Sequence, residues 1–197
     1  MHERISSIVA DSLRVKRDYF AEHTQDVLRA AEMIAACFRA DGRLLLCGNG
    51  GSSTDAQHIA GEFVNQFAHK GRRALPALAL TTDGGVLSSI ANDTGFENVF
   101  ARQVEAFGRA GDLLLAITTS GTSPNVVGAC EQARKAGMKI IGLLGRDGGR
   151  VAPLCDVALV VPSQDTQRIQ ETHNLIGHIL CELVEQMLFP ADEAQAN

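Results

Sequence analysis

His58 and Glu62 lie four residues apart, one helical turn, and share a face if residues 53–68 form a helix. Gln170 and His178 stand eight apart, roughly two turns along another helical segment. Taken alone, each pair reads as well as a solvated helix face. Position argues for more. The helix carrying His58 and Glu62 opens at "GNGGSS", residues 48–53. Glycines there let backbone approach a ligand closely, and a helix N-terminus attracts anions. A second turn, "TTSGTSPN" at 118–125, gathers the hydroxyls of Thr118, Thr119, Ser120, Thr122 and Ser123 before a helix opening at Pro124. One hydroxyl is enough to cap a helix, whereas this many suit a phosphate held by neutral donors.

A carboxylate and an imidazole beside a bound sugar phosphate are what proton transfer between adjacent carbons requires. One group takes a proton from the carbon next to a carbonyl, and the same or another group moves a proton between the oxygens. Two histidines, a glutamate and a glutamine also form a donor set for zinc, which would polarise the carbonyl and stabilise an enediolate. Spacing by itself does not establish a metal. Asn92 and Asp93, in "SSIANDTGF", are a further polar pair whose plain alternative is a helix C-terminus stopped by Gly95. "GNGGSS" is neither a dinucleotide fingerprint, lacking the third glycine, nor a P-loop, lacking G-K-[ST].

The elements that must position these residues alternate. Residues 1–40 read as amphipathic helices on an apolar pattern that includes Ile5, Ile8, Val9 and Leu13, then Val27, Leu28, Ala31, Ile34, Ala35 and Phe38. They stand outside the alternation, as an appendage that covers a sheet edge or pairs with another subunit. Apolar runs at 43–48, 74–80, 112–120, 139–145 and 156–162 predict buried parallel strands. Helices are expected at 53–68, 84–92, 97–108, 124–136 and 166–188. This order implies an α/β fold with right-handed crossovers and helices on both faces of a five-stranded sheet. Ligands in such sheets bind at the carboxyl ends of the strands. Residues 1–190 are read as one domain and 191–197 as a flexible tail.

The bulk properties exclude some classes. The chain of 197 residues carries a net charge of −5, with no basic block beyond Lys70-Gly71-Arg72-Arg73, so nucleic acid is not expected as the main partner. No apolar run reaches membrane-spanning length, and the N-terminus has no signal-peptide pattern. The five cysteines are scattered without C-x-x-C spacing and read as reduced core residues of a cytoplasmic protein.

"CGNGGSSTDAQHIAGEF", "IANDTGF", "ITTSGTSPNV", "GLLGRDGG" and "RIQETHNLIGHIL" occur in order and at fitting distances. Together they resemble the sugar isomerase superfamily, specifically the phosphoheptose isomerases, over nearly the whole chain. The resemblance implies a three-layer flavodoxin-like fold and a homotetramer with active sites between subunits. The implied reaction converts sedoheptulose 7-phosphate to D-glycero-D-manno-heptose 7-phosphate, the first step toward the heptose of bacterial lipopolysaccharide and related glycans. By resemblance, Asn49, Gly50, Gly51, Ser52, Asn92, Asp93, Thr118, Thr119, Ser120 and Ser123 contact substrate, together with His58, Glu62 and Gln170. His58, Glu62, Gln170 and His178 match the zinc positions, with one ion per subunit. Glu62 and His178 match the residues assigned to proton transfer, Glu62 taken as the carbon base and His178 as the partner for oxygen protons, an order that reverses without changing the set.

The sequence departs from the pattern at Gln66, where many relatives carry an arginine that reaches the phosphate. Lys70, Arg72 or Arg73 are the cations left to compensate. Two rival readings share the fold: a non-catalytic protein that binds the bacterial replication initiator, and a sugar-phosphate-responsive regulator. The first lacks the carboxylate at the position of Glu62, which this chain retains.

Overall fold

The computed structural model describes residues 1–190, so the expected tail at 191–197 lies outside the described residues. Its core is a parallel sheet of β1 (Leu44–Gly48), β2 (Ala77–Ala79), β3 (Leu113–Thr118), β4 (Lys139–Gly145) and β5 (Val157–Val161). The spatial order is β2-β1-β3-β4-β5. Register runs Leu44 to Leu113 through Gly48 to Ile117, then Leu113 to Lys139 through Thr118 to Leu144.

Side chains alternate across a strand, so each apolar run feeds two cores. Leu44, Leu46, Leu113, Leu115 and Ile117 pack on one face against α1 (His2–Arg39), α2 (Gly51–Val64) and α6 (Thr166–Leu188). Leu45, Cys47, Leu114, Ala116 and Leu144 pack on the other, against α4 (Ala101–Phe107) and α5 (Pro124–Lys135), while α3 (Gly84–Thr94) covers it with partly buried Leu87, Ile90 and Ala91. The two faces explain why the strands read as continuous hydrophobic runs rather than alternating ones.

Several expected boundaries shift for physical reasons. The N-terminal helices are a single 38-residue α1, roughly 57 Å long. The expected 97–108 helix is instead a 3-10 turn at Phe96–Asn98 followed by α4, both after Gly95, whose φ of 97° ends α3. α2 stops at Val64 rather than 68. The carbonyls of Glu62 and Phe63, which would accept from the next turn, accept from the Arg72 guanidinium. The amides of Phe67, Ala68 and His69 donate to Glu185 instead.

All five cysteines are free; four are buried and Cys155 is half-buried. Burial pushes the Cys37 thiol up to about 11 and the Cys47 thiol up to about 12. These are packing residues with little thiolate to offer.

Candidate active site

The chain reverses direction across the sheet between β1 and β3. From β1 it leaves through α2 on one face toward β2, and from β3 through α5 on the other face toward β4. That is a topological switch point, where ligands enter open α/β sheets. Both chemically unusual turns, "GNGGSS" after β1 and "TTSGTSPN" after β3, flank it.

Across the crevice the side-chain amides of Asn49 and Asn125 bond reciprocally. Asn49 Nδ2 donates to Asn125 Oδ1 at 2.8 Å, and Asn125 Nδ2 to Asn49 Oδ1 at 2.9 Å. A cavity of about 450 Å³ opens beside them, lined also by Phe96, Glu97, Ser123 and Pro124. Asn125 and Glu97 were not among the expected site residues. Asn125 ends the hydroxyl-rich motif, but nothing in the sequence says that it faces Asn49.

The hydroxyls at the end of β3 form one network. Thr118 Oγ1 lies 3.3 Å from Ser120 Oγ and 3.1 Å from Ser123 Oγ, and Thr122 donates to Ser120 from both its amide and its hydroxyl. Ser123 is the N-cap of α5, yet its hydroxyl makes no capping bond. The capping explanation for these hydroxyls therefore fails, and α5 begins with its N-terminus turned to the same turn. Thr119 sits in this turn, half-buried. Gly121, at φ 67°, presses on the backbone of Gly148, and its carbonyl accepts from Val151 at 3.0 Å. The glycines of "GLLGRDGG" thus buttress the hydroxyl turn from the β4–β5 connection.

α2 and α6 run side by side in the same direction. At their starts, Gln170 packs its amide against Gly51, so that an added Cβ there would displace the amide. Further along, Gly177 faces Ile59, where an added methyl would press on the Ile59 side chain. This close approach brings His58 Nε2 within 2.8 Å of His178 Nε2. One ring donates and the other accepts, so a single hydrogen fills the gap. His58 Nε2 also lies 3.5 Å from Glu62 Oε1. Ligand atoms of His58, Glu62 and His178 all lie within 4.8 Å of one another. The Phe67 ring stacks on His178, with centroids 5.6 Å apart and planes at 23°. One turn before His58, burial raises the Asp55 carboxyl above its ordinary range, opposed by the nearby His58.

Two imidazoles and a carboxylate converging in this way fit zinc, whose nitrogen ligands stand at about 2.0–2.1 Å. Gln170 reaches the start of α2, where its amide lies beside Gly51. Gly50, at φ 55°, turns the chain into α2, and Ser52 is buried in its first turn. Asn92 and Asp93 are exposed near the end of α3 and bond to each other at 2.9 Å. Among the described residues they make no hydrogen bond to the cluster.

Of the cations expected to replace the missing arginine, Arg72 is ruled out. Its side chain is 0% exposed and ion-paired to Glu185. Lys70 and Arg73 are exposed and, among the described residues, bond only to neighbouring carbonyls. Gln66 turns to its own loop, accepting from the Gly71 amide at 3.1 Å.

Residues 9–145 match the SIS domain model. The chain is 51% identical to the phosphoheptose isomerase of Desulfovibrio desulfuricans over 94% of its own length and 88% of that protein. The chain belongs to the phosphoheptose isomerase family. It shares 47% identity with the relative from Thermodesulfovibrio yellowstonii, over 99% of this chain and 96% of that one. The solved phosphoheptose isomerase of Neisseria gonorrhoeae superposes with a TM-score of 0.89 at 43% identity, covering 94% of this chain and 98% of that one. Family membership spans both turns, the histidine–glutamate cluster and α1. No described helix is long and apolar enough to cross a membrane.

Proposed function

We propose that the protein is an aldose–ketose isomerase that converts sedoheptulose 7-phosphate to D-glycero-D-manno-heptose 7-phosphate. The observation that carries this is the convergence of Glu62 and His178 on one cluster, from helices far apart in sequence. The substrate's reacting carbons and its ester lie at opposite ends. A proton-handling cluster on α2 and α6 and a separate neutral donor turn after β3 suit that arrangement.

Glu62 removes a proton from C1 of the ketose and returns it to C2. His178 supplies a proton to the carbonyl oxygen and takes one from the C1 hydroxyl, so the product leaves with the site restored. His58, in contact with both, holds the hydrogen-bond register between them. The hydroxyls of Thr118, Ser120 and Ser123, with Thr119 beside them, receive the phosphate. Asn49, Gly50, Gly51 and Ser52 border the crevice, and Asn92 and Asp93 complete the site when the chain assembles. His58, Glu62 and His178 would hold zinc, with Gln170 as the expected fourth donor. When bound, the ion polarises the ketose carbonyl as a Lewis acid.

The assembly is read as a homotetramer in the cytoplasm, with active sites between subunits, and the product feeds surface-glycan heptose synthesis. Ile5, Val9 and Leu13 are 60%, 51% and 62% exposed along one stripe of α1, which suits burial against another copy. A scaffold that only bound the replication initiator would have no use for the proton-handling cluster.

Incubation with sedoheptulose 7-phosphate in deuterium oxide tests the reading. Aldose carrying deuterium at C2 is expected, and binding without turnover would overturn it. Zinc is tested separately by metal analysis and by calorimetric titration of chelated protein. His58→Ala is expected to weaken zinc binding at least tenfold, and unchanged affinity would remove the metal assignment.

A further inference from the structure

Arg72 and Glu185 form an ion pair with side chains 0% and 2% exposed, Arg72 Nε lying 2.5 Å from Glu185 Oε1. Neither side chain takes part in the chemistry above, although Glu185 shares α6 with His178. The contacts of each are unusual. Arg72 Nη2 donates to the Glu62 carbonyl at 2.7 Å, and Nη1 to the carbonyls of Phe63 and Arg73 at 2.9 Å each. The guanidinium therefore caps the C-terminal carbonyls of α2 at the residue that carries the carboxylate, where positive charge is favoured.

Glu185 stands on α6 about two turns beyond His178, on a similar face. It accepts from the amides of Phe67 at 2.8 Å and of Ala68 and His69 at 2.7 Å each. Burial pushes its carboxyl up, but these donors together with Arg72 outweigh that and hold it below the ordinary carboxylate range. The segment it grips carries Phe67, whose ring lies on His178.

We propose that the Arg72–Glu185 pair is a positioning clamp that fixes Glu62 and His178 relative to one another. It ties the end of α2, the Phe67 segment and α6 through one charged contact and touches no reacting group itself. Stability alone is a poor reason for such a pair. Replacing a buried ion pair by apolar residues of similar volume is often neutral or stabilising, whereas removing one partner is costly. Register between two helices that must meet within hydrogen-bond distance is a reason that survives that comparison. The clamp deepens the isomerase reading and rests on it.

The test uses the full chain with Arg72→Lys, which keeps the charge, and the paired Arg72→Met/Glu185→Leu variant, which keeps the volume. Thermal melting and light scattering establish which variants remain folded and assembled. Steady-state kinetics and deuterium incorporation at C2 then follow both alongside the parent. The expected result is a kcat at least tenfold lower in each folded variant, with KM within about threefold of the parent. A lysine cannot hold both the Glu185 carboxylate and the Glu62 carbonyl as a guanidinium does, so its folding leaves the proposal testable if the apolar pair misfolds. A folded variant of either kind with kcat within twofold of the parent would overturn the clamp. An inactive parent would overturn the isomerase reading instead, so the two failures are distinguishable.

Discussion

Glu62 and His178 each have a replacement that separates shape from chemistry. Glu62→Gln keeps the volume and the chance of a hydrogen bond with His58, but an amide cannot take a proton from carbon. Turnover is expected to fall by about 10²–10⁴-fold, the range that a positioned acid or base contributes. Deuterium incorporation at C2, followed by proton NMR, checks this, and full exchange in the variant would remove Glu62 as the base. His173 makes a different prediction. It is buried, with Nε2 bonded to the Leu144 carbonyl at 2.9 Å. Burial lowers its imidazole from 6.5 to about 4, against the opposing effect of that bond. Because the folded value is depressed, the unfolded chain takes up a proton first as pH falls. Stability from the neutral ring is complete above pH 6.5 and declines as pH falls toward about 4, by about 3 kcal/mol in all. Urea unfolding across that range should lose this slope in His173→Gln, and an identical slope in the variant would refute the assignment.

At the level of elements, the turn after β3 depends on Gly121. Its φ of 67° is a conformation that side-chain-bearing residues rarely adopt, and an added Cβ would strike the Gly148 backbone. Gly121→Ala is expected to destabilise the fold by roughly 2 kcal/mol or more and to raise KM through a displaced hydroxyl turn. Chemical denaturation and substrate titration measure the two effects, and a variant as stable as the parent would show that the β4–β5 connection is not a buttress. The strands were legible in the sequence because burial on both faces leaves nearly unbroken apolar runs. The two turns were legible because glycine and hydroxyl residues are concentrated where a strand must end. The stop of α2 at Val64 was not legible. It depends on Arg72 and Glu185, and Glu185 is more than a hundred residues from α2. The partnership of Asn49 with Asn125 was hidden for the same reason: local pattern reports which residues leave the sheet, not which ones face each other across it.

For the whole molecule, the first third of α1 is the feature that one chain does not explain. Residues 1–10 are exposed, and burial begins in earnest only at Val15. The amphipathic pattern predicted a helix and an appendage, but not that one helix would run unbroken through the segment. Converting Ile5 and Val9 to Asp is expected to lower the assembly state in light scattering while leaving circular dichroism of the subunit near the parent. An unchanged mass would show that this stripe is not a contact between copies. On the isomerase reading activity should fall with assembly, because Asn92 and Asp93 make no hydrogen bond to the cluster among the described residues of one chain.

The reciprocal amides of Asn49 and Asn125 have a consequence for selectivity. Each amide already gives and takes one hydrogen bond before a guest arrives. A guest rich in hydroxyls trades partners with them at little net expense. One lacking hydroxyls leaves the pair bonded to itself and gains no hydrogen bond from it. On the isomerase reading, this pair favours polar guests before any bond is rearranged.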